Sequence, residues 1–217
     1  MVKEGKKEQI LEAAKDVLLK KGIFKTRVED ITSYLGIAKG SFYTYFKSKD
    51  QLLEEIIDRV YEIREKELEE LLEGNYDYEE QIRIFIIKRF VISSDNLKSH
   101  LILINLTRNL EHLTPVLREK LLQIEILNRK FLKEIIKNIQ NISYSEEEID
   151  TIIIFIMGGI KSYRLERLFY KNTDDYFISD IDEFRERLKN INLKKEVELV
   201  VSGILKLLTG GNWWKSY

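Results

Sequence analysis

Apolar residues recur along this chain at intervals of three and four, and that spacing predicts helices from end to end. Ile10, Ala13, Ala14, Val17 and Leu18 form one stripe of a first helix over residues 4–21, which Gly22 ends. Val28, Ile31 and Leu35 mark a short second helix, closed by Gly36 at a position that favours the left-handed backbone only glycine adopts freely. A third helix is expected from Ala38 to about Phe46, and a fourth, long one from Lys49 to about Glu73. Further on, the pattern predicts helices over Tyr78–Ser93, His100–Glu111, Pro115–Asn138, Glu146–Tyr170, Asp180–Lys189 and Leu193–Leu208. Ile82, Phe85, Ile86, Arg89 and Phe90 share one side of the first of these, and Val197, Val200, Val201, Ile204 and Leu208 one side of the last. Segments 93–96, 141–144 and 172–179 read as connections, Gly210-Gly211 as the end of the last helix, and Trp213-Trp214 as a partly ordered tail. No stretch alternates long enough to be a strand.

Start signals sharpen these boundaries. Thr26 with Glu29, Ser48 with Gln51 and Ser145 with Glu148 all have capping-box spacing, in which a hydroxyl accepts an orphan N–H and a side chain three residues on reaches back. Thr114 before Pro115 places a capping hydroxyl ahead of a proline at the first helical position. Two short helices joined by a glycine turn make a helix-turn-helix, the unit that lays its second helix in the major groove of DNA. At roughly 100° per residue, Ala38, Phe42, Tyr45 and Phe46 fall on the packing side of that second helix. Lys39, Gly40, Tyr43 and Thr44 fall on the outer side, and Ser41 lies at the border. A cation, a phenol, hydroxyls and a glycine that permits close approach suit phosphates and base edges. The same pattern also fits a small solvated helix with its tyrosines half in the core.

The block Gly22-Ile23-Phe24-Lys25-Thr26, then Asp30-Ile31, then Gly36-Ile37-Ala38-Lys39-Gly40-Ser41-Phe42-Tyr43-Thr44-Tyr45-Phe46-Lys47-Ser48-Lys49 resembles the tetracycline-repressor (TetR) family of bacterial transcriptional regulators. The resemblance covers about the first fifty residues. It implies an all-α chain with an N-terminal three-helix helix-turn-helix DNA-binding domain, residues 1–47, and a C-terminal helical ligand-binding and dimerisation domain, residues 48–217. It also implies a homodimer that acts as a repressor on a palindromic DNA operator and is released by a small effector. Position by position, it places Thr26, Lys39, Ser41, Tyr43, Thr44, Tyr45 and Lys49 toward DNA. Glu29 departs from the basic side chain that some members present to a base from the helix before the turn, and Arg27 is the substitute on that helix.

Composition narrows the class. The 217 residues are 44% apolar and 34% charged with a single proline, which suits a folded helical chain. Residues 1–50 carry 11 Lys/Arg against 7 Asp/Glu and the remainder 25 against 30, a basic head on an acidic body. The absence of cysteine excludes disulfides, thiolate metal sites and cysteine nucleophiles. The N-terminal MVKEGKKEQI lacks the apolar core of a signal peptide, and the longest apolar run, Ile152–Ile160, is far short of the ~20 residues that span a bilayer. A cytoplasmic location is expected.

No enzyme is expected: nothing converges into a catalytic or metal site, and no cofactor is implied. His100 and His112 lack acidic partners at metal spacing, Gly158-Gly159 follows no strand and reads as a place where two helices approach closely, and the glutamate runs read as solvated faces. Small-molecule pockets in helical bundles are apolar with a few polar anchors. Phe85, Arg89, Asn105, Arg108, Phe131, Phe155 and Tyr163 are the candidates to line one, for an apolar or aromatic effector. The competing readings are a helical enzyme, and a structural or partner-regulated DNA-binding protein with no inducer.

Overall fold

The computed structural model describes residues 2–90, 96–139, 143–169 and 181–209. They form ten α-helices: α1 (Val2–Lys21), α2 (Val28–Leu35), α3 (Lys39–Tyr43), α4 (Lys49–Glu73), α5 (Tyr78–Phe90), α6 (Leu97–Thr107), α7 (Pro115–Lys137), α8 (Glu146–Arg164), α9 (Ile181–Lys189) and α10 (Leu193–Thr209). A 3-10 turn covers Leu110–His112, a π turn continues α8 over Leu165–Phe169, and the described residues contain no strand. The chain is all-α.

Two compact units divide these helices. One takes α1–α3, α4 to Arg64, α6 and α7 to Ile124; the other takes the rest of α4 and α7 together with α5, α8, α10 and nearly all of α9. In the first, Ile10, Leu11, Ala14 and Leu18 of α1 share one core with Ile31 of α2, Phe42 of α3 and Phe46 just beyond it, and with Leu52, Leu53 and Ile56 of α4. Ile102 and Leu106 of α6 and Leu117 and Leu121 of α7 complete that core. Phe42 and Phe46 are almost wholly buried; each contributes about 1.5–3 kcal/mol by leaving water. In the second unit, α10 buries Val197, Val200, Val201, Ile204 and Leu208, and α5 buries Ile82, Phe85, Ile86, Arg89 and Phe90, the faces their spacing predicts.

Of the three expected capping boxes, the one at Ser145 forms as read and the one at Ser48 forms with its return bond shifted one residue back, to Lys47. Ser48 Oγ accepts from the Gln51 N–H at 3.1 Å while the Gln51 carbonyl accepts from the Lys47 N–H at 2.5 Å. Ser145 and Glu148 exchange both bonds, at 3.2 and 2.8 Å. The third is displaced by one residue. Thr26 is buried, and its hydroxyl donates to the Gly22 carbonyl at 2.8 Å, so it serves the end of α1 rather than the start of α2. Arg27 takes the N-terminal position, and the carboxylate of Asp30, not Glu29, accepts its N–H at 2.7 Å. Gly36 has φ 63°, the left-handed geometry foreseen for it.

Some boundaries also move. α3 ends at Tyr43, with Thr44 and Tyr45 in a turn that still donates N–H groups to Gly40 and Phe42. Ala38 precedes α3 and is exposed rather than packed. α6 starts at Leu97 and stops at Thr107, because the chain tightens into the 3-10 turn before reaching Glu111. α8 is regular only to Arg164. The expected last residues of α5 (91–93) and α8 (Tyr170), Asp180, the connections over 93–95, 141–142 and 172–179, and the features at Gly210-Gly211 and Trp213-Trp214 lie outside the described residues.

Candidate nucleic-acid interface

Phe42, on the inner side of α3, is fully buried, makes an edge contact with the ring of Tyr43 at 5.5 Å, and lies 5.6 Å from Phe46. That anchor turns Lys39, Gly40, Tyr43 and Thr44 outward, and all four are exposed. The Thr44 hydroxyl donates back to the Gly40 carbonyl at 3.1 Å, which leaves its oxygen free to accept. Lys39 Nζ lies 5.9 Å from the centre of the Tyr43 ring and is ion-paired with Glu29 of α2. The ammonium holds the Glu29 carboxyl below the usual carboxylate range, and the carboxylate raises Lys39 above the usual lysine value. Ser41 is half-buried, and Tyr45 is half-buried against the core of its unit. Arg27 is exposed at the start of α2.

Two of the sequence candidates sit in the frame behind this face. Thr26 is spent on the end of α1, as described above. Lys49 Nζ donates to the carbonyls of Ile23 and Thr26 at 2.8 and 3.0 Å, and burial pushes its ammonium below the usual lysine value. Asp30, paired with Lys21 at 2.5 Å, belongs to the same frame and carries a depressed carboxyl for that reason.

The candidate effector residues are not brought together as one set. Phe85 and Phe131 stack at 5.1 Å, the Arg89 guanidinium lies 3.7 Å from the centre of the Phe85 ring, and Arg89 donates to the Asn128 side chain. This buried cation–amide pair was only half visible in the sequence: Asn128 was missed, although it occupies a position of the α7 apolar stripe between Leu121 and Phe131. Tyr163 lies 6.0 Å from Phe90 and donates to Glu196, which also accepts from Arg167 at 2.7 and 3.1 Å. Glu196 is a second buried polar residue on an apolar stripe; Arg167 above all, then Tyr163, holds its carboxyl low. Phe155 is exposed on α8. Asn105, whose amide donates to the Leu101 carbonyl at 3.1 Å, and exposed Arg108 belong to the unit that contains α1–α3. Gly158 and Gly159 have no neighbour within 4 Å of where a side chain would begin, so the close approach expected there is not made among the described residues.

The profile of bacterial regulatory proteins of the tetR family matches residues 10–56, from the middle of α1 into α4. Residues 10–56 thus carry the DNA-binding segment of the tetR family. The chain is 35% identical over 89 residues to the uncharacterized HTH-type transcriptional regulator YvdT of Bacillus subtilis, a match covering 41% of this chain and 46% of the relative. It thus spans less than half the length of that relative. Its fold is similar to that of the MbdR regulator from Azoarcus sp. CIB, with a TM-score of 0.68 at 17% identity over 92% of this chain and 97% of the other. It is also similar to FadR from Bacillus subtilis in complex with stearoyl-CoA, with a TM-score of 0.62 at 20% identity over 94% and 99%. These are regulators, not enzymes. Among the described residues no helix is long and apolar enough to cross a membrane, and no group of three His, Cys, Asp or Glu side chains could hold a metal ion.

Proposed function

We propose that this chain is a transcriptional repressor that binds a palindromic DNA operator as a homodimer and releases it when a small effector binds. Residues 1–47 are the reading head and residues 48–217 the effector and dimerisation part. The observation that carries the reading is the outer face of α3: Lys39, Gly40, Tyr43 and Thr44 stand exposed together on a helix locked to its core by Phe42. Tyr45 and Ser41 flank that face and Arg27 extends it to α2, while Thr26 and Lys49 hold it in place.

Dimerisation is supported by the outer sides of α8 and α10. Ile154 and Phe155 are 55% and 58% exposed on α8, and Leu199 is 53% exposed on α10. Gly158 and Gly159 on α8 and Gly203 on α10 have open space where a side chain would be. Large apolar groups beside bare backbone suit a helix of a second copy, and two-fold symmetry makes such a contact isologous. The effector is an apolar or aromatic molecule bound among the phenylalanine- and isoleucine-rich helices of the second unit, with Arg89 beside the Phe85–Phe131 stack as its polar anchor. The complex of the B. subtilis neighbour with stearoyl-CoA, whose acyl chain is apolar, agrees with an effector that has an apolar part.

The test is a selection of bound sequences from random DNA duplexes, followed by calorimetry of candidate effectors on the free protein and on the DNA complex. A palindromic consensus is expected, together with an effector that binds the free protein about 5- to 150-fold more tightly, since coupling is reciprocal and typically 1–3 kcal/mol. Equal affinities for an effector bound in the second part would rule out release by that effector. DNA binding with no effector response would favour a regulator controlled by a protein partner.

A further inference from the structure

We propose that Glu29 and Lys39 act as one base-reading unit that selects a G·C base pair in each half-site, Glu29 accepting from the cytosine amino group and Lys39 donating to the guanine edge. The proposal rests on the reading of α3 as the groove helix and deepens it.

Glu29 and Lys39 come from different helices, on either side of the glycine turn, and meet as an ion pair on the exposed face that also carries Tyr43. Their side chains are about half exposed, at 54% and 52%, so both heads are open to a ligand approaching that face. The second acid of the same turn is otherwise occupied: Asp30 accepts the Arg27 N–H and pairs with Lys21. The Glu29 carboxylate instead meets Lys39 across the turn, as an ion pair with α3. A lone carboxylate on a phosphate-facing surface would weaken DNA binding. Paired with an ammonium, it becomes a local acceptor beside a local donor with no net charge.

That arrangement matches one base pair better than the others. In the major groove a G·C pair presents two adjacent acceptors, guanine N7 and O6, followed by the cytosine N4 donor. An ammonium spans the two acceptors and the neighbouring carboxylate takes the donor. An A·T pair places its one donor between two acceptors, so the ammonium loses half of its contact. The Tyr43 ring beside Lys39 limits the directions in which the ammonium can move, which fixes the order of the two heads. The orientation follows: the cytosine lies on the α2 side and the guanine on the α3 side.

The experiment is a duplex selection on full-length wild type, Glu29→Ala, Lys39→Ala and the double variant, with affinities measured on the consensus and on the duplex carrying A·T at the read position. Wild type is expected to fix one G·C pair per half-site and to discriminate about tenfold or more against A·T there. Glu29→Ala and Lys39→Ala should each lose that preference while the remaining consensus is retained, and the double variant should lose little more than either single one. An unchanged preference at every position in Glu29→Ala overturns the proposal. So does a uniform tightening on all duplexes, which would make the carboxylate a mere shield for Lys39. Failure of wild type to select any sequence would instead overturn the proposed function itself, and a changed helical content in a variant is excluded by circular dichroism on the same samples.

Discussion

Lys49 donates from its ammonium to the Thr26 carbonyl at 3.0 Å, across 23 positions of sequence, and so pins the first turn of α4 beneath the start of α2. A second bond to the Ile23 carbonyl at 2.8 Å makes the lysine a bridge to the α1–α2 connection. Lys49→Met is therefore expected to lower both thermal stability and DNA affinity while leaving the salt dependence of binding unchanged. A lysine that neutralised a phosphate would instead reduce the salt slope by about 1 when removed. Affinity measured over a range of salt concentrations separates the two.

Tyr43 has the opposite character. Its ring is exposed beside Lys39 and meets the ring of Phe42 edge-on. Tyr43→Ala should weaken operator binding with little change in melting temperature or oligomeric state. Operator affinity equal to wild type at matched salt would remove Tyr43 from the interface.

Phe155 tests the outer face of α8. It is exposed, next to exposed Ile154 and close in sequence to the bare glycines. Phe155→Asp places a charge where a second copy would have to bury it. Sedimentation equilibrium at micromolar concentration should show dimer for the wild type and a shift to monomer for the variant. A wild type that stays monomeric at every concentration contradicts the assignment.

The Arg89–Asn128 pair is buried in the second unit. Asn128→Ala removes an acceptor from a buried guanidinium and is expected to lower the unfolding free energy by about 1–3 kcal/mol, read from denaturant midpoints. If the same site anchors an anionic or carbonyl-bearing effector, the variant also changes effector affinity by more than its loss of stability explains.

Glu146 at the start of α8 accepts from Lys133 and Lys137 of α7, each at 2.6 Å, and the two ammonium groups depress its carboxyl to about 2. A depressed carboxyl stabilises the fold above its unfolded value near 4.5, and the gain is lost as pH falls toward the folded value. Glu146→Gln should thus melt lower than wild type at neutral pH, with the difference shrinking between about pH 4.5 and 2. Melting curves across that range decide it. An equal difference at all pH values would show that the ion pairs contribute nothing.

Much of this was legible in the chain because it depends on near neighbours. The stripe of α10, the buried side of α5, the boxes at Ser48 and Ser145 and the left-handed Gly36 each follow from residues within one or two helical turns. So did the outward group Lys39, Gly40, Tyr43 and Thr44, since a single large residue, Phe42, fixes the rotation of a five-residue helix.

What the chain order alone could not decide was competition between equivalent partners. Thr26 and Arg27 both stand before α2, and Thr26 is buried with its hydroxyl on the Gly22 carbonyl, so the position passes to Arg27. Glu29 and Asp30 are both acids of one turn, and only the packing of α2 on α1 and α3 gives Lys21 to one and Lys39 to the other. Lys49 reads as a surface cation until the fold brings two carbonyls from 23 and 26 positions away within reach. Helix formation is set by spacing and backbone geometry, which sequence carries in each short window. The choice among long, flexible charged side chains is set by distances through space, and those exist only once the helices have packed.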